Sequence, residues 1–241
     1  MDGAALRSDK GRTQRQPRKG QLGAVAYERI RQMILECDLP PGAPVSQSQL
    51  ESTTRLGRAA VRTALARLQQ EGLVRPVPRR GYLVSPVTPQ DIDDLHGLRL
   101  LLEPASVRLA AGRLSEADLA RLRALADIGY KSRDRASERR FLRANRDFHL
   151  LIARASGNER LAQVLEQIFS EGTRMLYLTM SSKQNLSDTW SKGHHAICDA
   201  LQRGDGDGAA AIAEAEVADG RREIFQAVLS RTGIAQTNVF G

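Results

Sequence analysis

The chain has 241 residues and a formal net charge of +8, which is long enough for two modest domains that each bury a core. A hydrophobic fraction of 41% and a mean hydropathy of −0.39 describe a soluble protein, and no apolar run reaches membrane-spanning length. The N-terminal MDGAALRSDK carries no apolar h-region and reads as no secretory signal; two cysteines as distant as Cys37 and Cys198 suggest neither a disulfide framework nor a metal knuckle, so the expected setting is cytoplasmic.

The charge is uneven. Residues 1–20 hold six Lys/Arg and two Asp, residues 21–86 nine Arg and five acids, and the remaining 155 residues 21 of each sign. A neutral part tied to a basic one implies that only the N-terminal part meets a polyanion. The plainer alternative is a charged tail on an ordinary fold.

Residues 1–20, with Leu6 as the one branched aliphatic side chain, are expected to form a disordered basic tail. Its Arg12, Arg15, Arg18 and Lys19 either touch phosphates or merely solubilise. A winged helix-turn-helix is expected over 21–86. From Leu22 a helical period sets Ala26, Ile30, Met33, Ile34 and Cys37 on one face, and Pro40-Pro41-Gly42 stops it. Ser46-Gln-Ser-Gln49 reads as a capping box opening a second helix. A third helix is expected over 57–71, with Val61, Ala64, Leu65 and Leu68 inward and Gly72 as its stop. Two short strands then flank a basic turn, Val77-Pro-Arg-Arg-Gly81.

A helix that reads a major groove needs one anchored face and one polar face. Ala59, Arg62, Thr63 and Ala66 lie away from the Val61/Leu65/Leu68 stripe, with Arg58 at the border near the helix start. Small residues between arginines allow close approach, and an arginine can then fork onto guanine O6 and N7. The plainer reading of Arg58 and Arg62 is a solvated face, and of Arg79 and Arg80 a solvated turn.

These residues resemble the GntR-type winged helix. Pro41-Gly42, Arg58, Val61-Arg62, Ala64-Leu65, Leu68, Glu71-Gly72-Leu73-Val74 and Gly81 match its signature over about 22–85. The resemblance implies a DNA-contacting set of Arg55, Arg58, Ala59, Arg62, Thr63, Arg79, Arg80 and Gly81. One departure stands out. Thr54-Arg55-Leu56-Gly57 replaces the usual Leu-Gly-Val-Ser, which removes a serine cap and leaves Arg55 as a substitute phosphate ligand.

Past the joint Ser85-Pro-Val-Thr-Pro89, where Thr88 reads as an N-cap and Pro89 as the first helical residue, no strand is evident. Helices are predicted near 89–113, 115–132, 136–156, 158–182, 187–204 and 206–230, and connections this short favour an antiparallel bundle. The predicted fold is therefore mainly α: a winged helix-turn-helix with a small β-hairpin wing, then an all-α effector-binding and dimerisation domain over 87–232. Residues 233–241 are expected to be a flexible tail.

Three landmarks make the bundle similar to the effector domain of the FadR subfamily of GntR regulators: Arg99-Leu-Leu-Leu-Glu103, Asn145-Arg-Asp-Phe-His149 followed by Gly157-Asn158, and His194-His195-Ala-Ile197 followed by Gly204-Asp205. In many members an Asp and three His hold a divalent metal. Carried over position by position, the resemblance implies Asn145, His149, His195 and Glu216, the first and last departing from Asp and His. The spacing supports part of this, because Asn145 and His149 at i, i+4 lie about 40° apart on a helix. Two imidazoles and a carboxylate suit Zn²⁺ or a similar first-row ion. The residual charge of about +1 would favour an anionic effector, such as a carboxylate. His194, rotated from His195 by one helical step, reads as a rim residue, and Cys198 as a buried small residue or an additional ligand. Arg99 reads either as a bidentate clamp on the effector or as an i, i+4 partner of Glu103.

The function so implied is a homodimeric, ligand-controlled repressor that binds two-fold operator DNA and is not an enzyme. Two other readings remain open at this stage. One is a regulator with a metal-free pocket. The other is a metal-dependent enzyme of the two-His-one-carboxylate kind, against which stand the missing strand framework and the unexplained basic half.

Overall fold

The computed structural model describes residues 19–180 and 187–232. Most of the expected N-terminal tail and all of the C-terminal one lie outside the described residues, but Lys19 and Gly20 already belong to the first helix. The chain divides into two compact units, one drawn from the chain up to Arg31 and from Pro44–Leu83, the other from Gln32–Ala43 and from Val84 onward.

The first unit is built on α1 (Lys19–Leu35), β1 (Pro44–Val45), α2 (Gln47–Thr54), α3 (Arg58–Gln70), β2 (Val74–Val77) and β3 (Gly81–Val84). The apolar periods bury as expected: Ala26 and Ile30 on α1, Leu50 on α2, and Val61, Ala64, Leu65 and Leu68 on α3 are nearly inaccessible. Ser46 caps α2, its hydroxyl accepting from the Gln49 amide. Tyr27 ties α1 to the end of α3 by donating to Glu71 at 2.8 Å, and the Arg67 guanidinium lies 3.6 Å from the Tyr27 ring centroid.

The wing has three strands in the order β1-β3-β2 rather than the expected two. β1 runs antiparallel to β3 with Val45 opposite Tyr82; two residues are too short for any periodicity to announce them. This pairing explains Gly81. Its φ is +92° and an added Cβ would sit 2.8 Å from the Val45 carbonyl oxygen, so only glycine lets β3 lie against β1. Gly81→Ala is expected to destabilise the unit by about 1–3 kcal/mol, read as a fall in the thermal midpoint. An unchanged midpoint would mean that the wing does not pair as described.

The second unit carries α4 (Pro89–Ala110), α5 (Glu116–Ala126), α6 (Arg135–Ala155), α7 (Glu159–Met180), α8 (Ser187–Gln202) and α9 (Gly206–Thr232). Their starts are set by local chemistry. Thr88 with Asp91 and Ser115 with Asp118 form reciprocal capping boxes on α4 and α5, and Asp134 accepts from two amides at the start of α6. α5 stops at Ala126, six residues short of expectation, where the Asp127 amide closes the last turn onto Arg123 and Leu125. The interior is apolar: Val107, Leu122, Phe148, Ile152, Ile197, Cys198 and Leu201 share one buried cluster. Cys198 is thus a core residue, and burial pushes its thiol up to about 11.

The turn after α1 packs with this bundle. Arg139 pairs with Glu36 at 2.8 Å and with Asp38 at 2.5 Å. The buried Arg174 of α7 donates to the carbonyls of Ser85 and Pro86. Among the described residues, no helix is long and apolar enough to cross a membrane.

Candidate functional site

Three helices of the bundle bring three ligand-type side chains to one point. His149 comes from the buried face of α6, His194 from α8 and Glu216 from α9, with one ligand atom of each lying within 4.8 Å of the others. His149 and His194 are 8% and 3% exposed. Their rings are fixed by aromatic neighbours: His194 stacks on Phe148 at 4.0 Å between centroids, and His149 lies 5.3 Å from Phe169. His194 Nε2 is 3.0 Å from Glu216 Oε1, yet the approach is poorly aligned. Both His194 Nε2 and Glu216 Oε2 are buried without a hydrogen bond. A buried carboxylate oxygen left without a hydrogen bond beside two imidazoles is a place for a further group.

The electrostatics suit a cation. Burial first, and then the His194 ring, push His149 down to about 3, so its imidazole is neutral with a lone pair to give. Burial works to raise Glu216, but the neighbouring imidazoles of His194 and His149 outweigh it and hold the carboxyl below its usual range. The group is therefore two imidazoles and one carboxylate, with both histidines buried and Glu216 partly exposed. That is the donor set of a first-row divalent ion such as Zn²⁺.

Behind this point lies an oriented ion pair. Glu103, buried on α4, sits 3.4 Å from His149 Nδ1 and is ion-paired with Arg99. An N–H at Nδ1 facing this carboxylate leaves Nε2 as the free acceptor, the arrangement by which outer carboxylates fix histidine ligands. Arg99 also approaches His96 Nε2 at 3.5 Å, and burial followed by Arg99 lowers His96 to about 4. Arg99, His96 and Asn145 line one small cavity of about 20 Å³ among apolar side chains. That is room for about one water and not for a metabolite.

Set against the sequence expectations, His149 and Glu216 do come together, but His195 does not join them. Its Nε2 lies 2.8 Å from Asp127 Oδ1 on a partly exposed surface, and His194 takes the inner place. The reason is one helical step. The buried side of α8 runs His194, Ile197, Cys198, Leu201, an i, i+3, i+4, i+7 pattern that was readable in the sequence. Asn145 is half-buried one turn before His149 and faces the Arg99 cavity. Arg99 adopts the Glu103 pairing, and Glu103 itself went unnoticed as an orienting group.

On the winged helix, Arg58, Ala59, Arg62 and Thr63 are exposed on the outer side of α3, as are Arg55, Arg79 and Arg80. Arg55 and Arg79 take left-handed backbone with φ of 55° and 62°. Gly57 caps α3 with no side-chain bond, so the Arg58 and Ala59 amides are left uncapped while the Ala60 amide donates to the Gly57 carbonyl. Thr63 is partly committed: its hydroxyl donates to the Ala59 carbonyl at 3.0 Å. Gly81 serves the sheet.

Residues 22–84 match the bacterial regulatory proteins of the gntR family, and residues 94–219 match the FCD domain. The chain is 27% identical over 143 residues to the uncharacterized HTH-type transcriptional regulator YdhC of Bacillus subtilis, covering 59% of this chain and 64% of that protein. It is 24% identical over 181 residues to the HTH-type transcriptional repressor RspR of Escherichia coli, covering 75% and 79%. The solved structure of E. coli McbR/YncC superposes with a TM-score of 0.69 at 21% identity, covering 88% of this chain and 98% of the other, a likeness of fold. The matches span between 53% and 64% of the length of three of the curated relatives. With both of its domains matched in order, the chain belongs to the GntR family of bacterial regulatory proteins, in the group whose second domain is an FCD domain.

Proposed function

We propose that this protein is a homodimeric transcriptional repressor that binds two-fold operator DNA through α3 and the wing. Its bundle holds a divalent metal, Zn²⁺ or a close relative, and senses a small anionic effector, with a carboxylate the best match. The observation that carries the sensor half is the pair of buried, unbonded atoms, His194 Nε2 and Glu216 Oε2, beside the neutral His149. The role of repressor follows the kinship with RspR.

The chain's own residues divide the work. His149, His194 and Glu216 would hold the ion, with the Asn145 amide oxygen as the candidate fourth ligand. A bound ion would keep about one net positive charge and offer it to the effector. Glu103 orients His149, and Arg99 balances Glu103, so the pair adds little charge to the pocket. The small cavity beside Arg99 leaves no room for a metabolite in this conformation. A larger cleft of about 370 Å³ opens beside Glu216, lined by Trp190, Gly193, Asp219 and Arg222, and an effector bound there beside the ion can tilt a two-state equilibrium. A second reading, a pocket without metal, is favoured by Arg99 and Asn145 lining one cavity, where Arg99 would exchange Glu103 for the effector carboxylate.

The test is duplex selection by the full chain from a random pool, followed by binding titrations against salt. Enrichment of a two-fold sequence, with affinity that falls steeply as salt rises, is the expected result. Equal affinity for all duplexes would overturn the reading as an operator-binding repressor.

A further inference from the structure

We propose that the outward face of α4 is the surface on which two copies of this chain associate, crossing antiparallel about a two-fold axis at Leu101. The inference rests on the homodimer of the proposed function and names its seam.

Helix α4 spans 22 residues and packs inward on α6, α7 and α9. Its other side carries Leu98, Leu101 and Leu109, which are 46%, 72% and 44% exposed. One exposed leucine needs no explanation, but three along one side of a bundle helix form an apolar stripe without a partner. Leu101 is the most exposed large apolar side chain among the described residues.

The residues around Leu101 identify the occupant. In a contact about a two-fold axis at position 101, each residue n before Leu101 meets the residue n after it on the partner. Gly97 then faces the partner's Ala105, while Leu101 meets itself; small side chains beside the centre let the helices come close. Seven residues out, Asp94 meets the partner's Arg108. The exposed stripe thus has an apolar, small-residue centre and opposite charges at its two ends, about 21 Å apart on a straight helix. Between Asp94 and Arg108 that pattern is complementary to its own reverse. A parallel crossing would set Asp94 on Asp94 and Arg108 on Arg108, and an unrelated chain would not require the symmetry. Antiparallel helix dipoles favour the same arrangement. Asp94 accepts from Gln90 and Arg108 pairs with Asp207 at 2.6 Å; both are exposed, so each can take a second partner.

Sedimentation equilibrium of the full chain tests the seam, with circular dichroism as the check on folding. Wild type should be a dimer. Leu101→Glu sets two carboxylates face to face on the axis and should weaken association by about 100-fold or more; at 72% exposure in the monomer the site tolerates the change without loss of fold. Asp94→Arg and Arg108→Asp should each weaken the dimer by about tenfold, and the double variant Asp94→Arg/Arg108→Asp should restore it. Residues this far apart on one helix cannot rescue each other within a single chain. A monomeric wild type would overturn the homodimer and this seam together. A dimeric wild type whose mass is unmoved by Leu101→Glu, or whose double charge variant is no better than the singles, would overturn the seam and leave the homodimer standing.

Discussion

His194→Ala is expected to abolish tight binding of a divalent ion, while His195→Ala leaves it intact. The two residues are neighbours of the same type, so composition, net charge and helix propensity are matched between the variants. Only the direction of the side chain differs. His194 is buried with Nε2 unbonded beside Glu216, whereas His195 already has Asp127 at 2.8 Å on the surface. His149→Ala and Glu216→Ala should behave like His194→Ala. Glu103→Gln keeps the shape but removes the charge that orients His149, and should lower affinity by about 10–100-fold. Asn145→Asp adds a carboxylate one turn before His149 and should tighten binding. Calorimetric titration of metal-stripped protein with Zn²⁺ reads each of these. A parallel check is thermal: an ion at about 100 times its dissociation constant stabilises the fold by about 2.7 kcal/mol, and that gain should vanish in His194→Ala. If neither wild type nor Asn145→Asp takes up an ion, the metal-free pocket is the better account. If His195→Ala is the variant that loses it, the inner face of α8 has been assigned to the wrong histidine.

The histidine pair shows where the sequence was legible and where it was not. Helix boundaries were open to reading because caps are local: Thr88 with Asp91 and Ser115 with Asp118 lie within one turn of the amides they satisfy. The inner stripe of α3 was legible for the same reason, since four apolar residues at helical spacing can bury together in one way only. Position in the family pattern points to His195, and a shift of one residue turns a helical side chain by about 100°. The apolar residues Ile197, Cys198 and Leu201 mark His194 as the inner one. Other features depend on distant partners. β1 exists because β3 lies beside it, Gly81 is required because the Val45 carbonyl approaches, and the Arg99–Glu103 ion pair forms beside a histidine brought in from another helix. Residues 32–43 group with the bundle, where Arg135 and Arg139 reach Glu36 and Asp38 from about a hundred positions away in the chain.

On DNA, Arg62→Ala is expected to cost about 1–3 kcal/mol at the selected operator and much less on random duplex. Arg62 is exposed on α3 and stands between the exposed Ala59 and Ala66, which are small enough to keep an approach to base edges open. Arg80→Ala should act differently. If this exposed residue of the wing turn contacts phosphate, its loss should weaken all duplexes alike and reduce the salt slope by about one. Two further variants separate recognition from folding on the same helix. The Thr63 hydroxyl is spent on the Ala59 carbonyl, so Thr63→Val should change base preference little. Arg67, held over Tyr27 and bonded to Glu71, should cost stability when replaced by alanine and leave base preference unchanged. Fluorescence titrations of the full chain against operator and random duplex, each at several salt concentrations, distinguish these outcomes. Unchanged operator affinity in Arg62→Ala, or a base-specific loss in Arg67→Ala, would mean that α3 does not meet the groove with the face described.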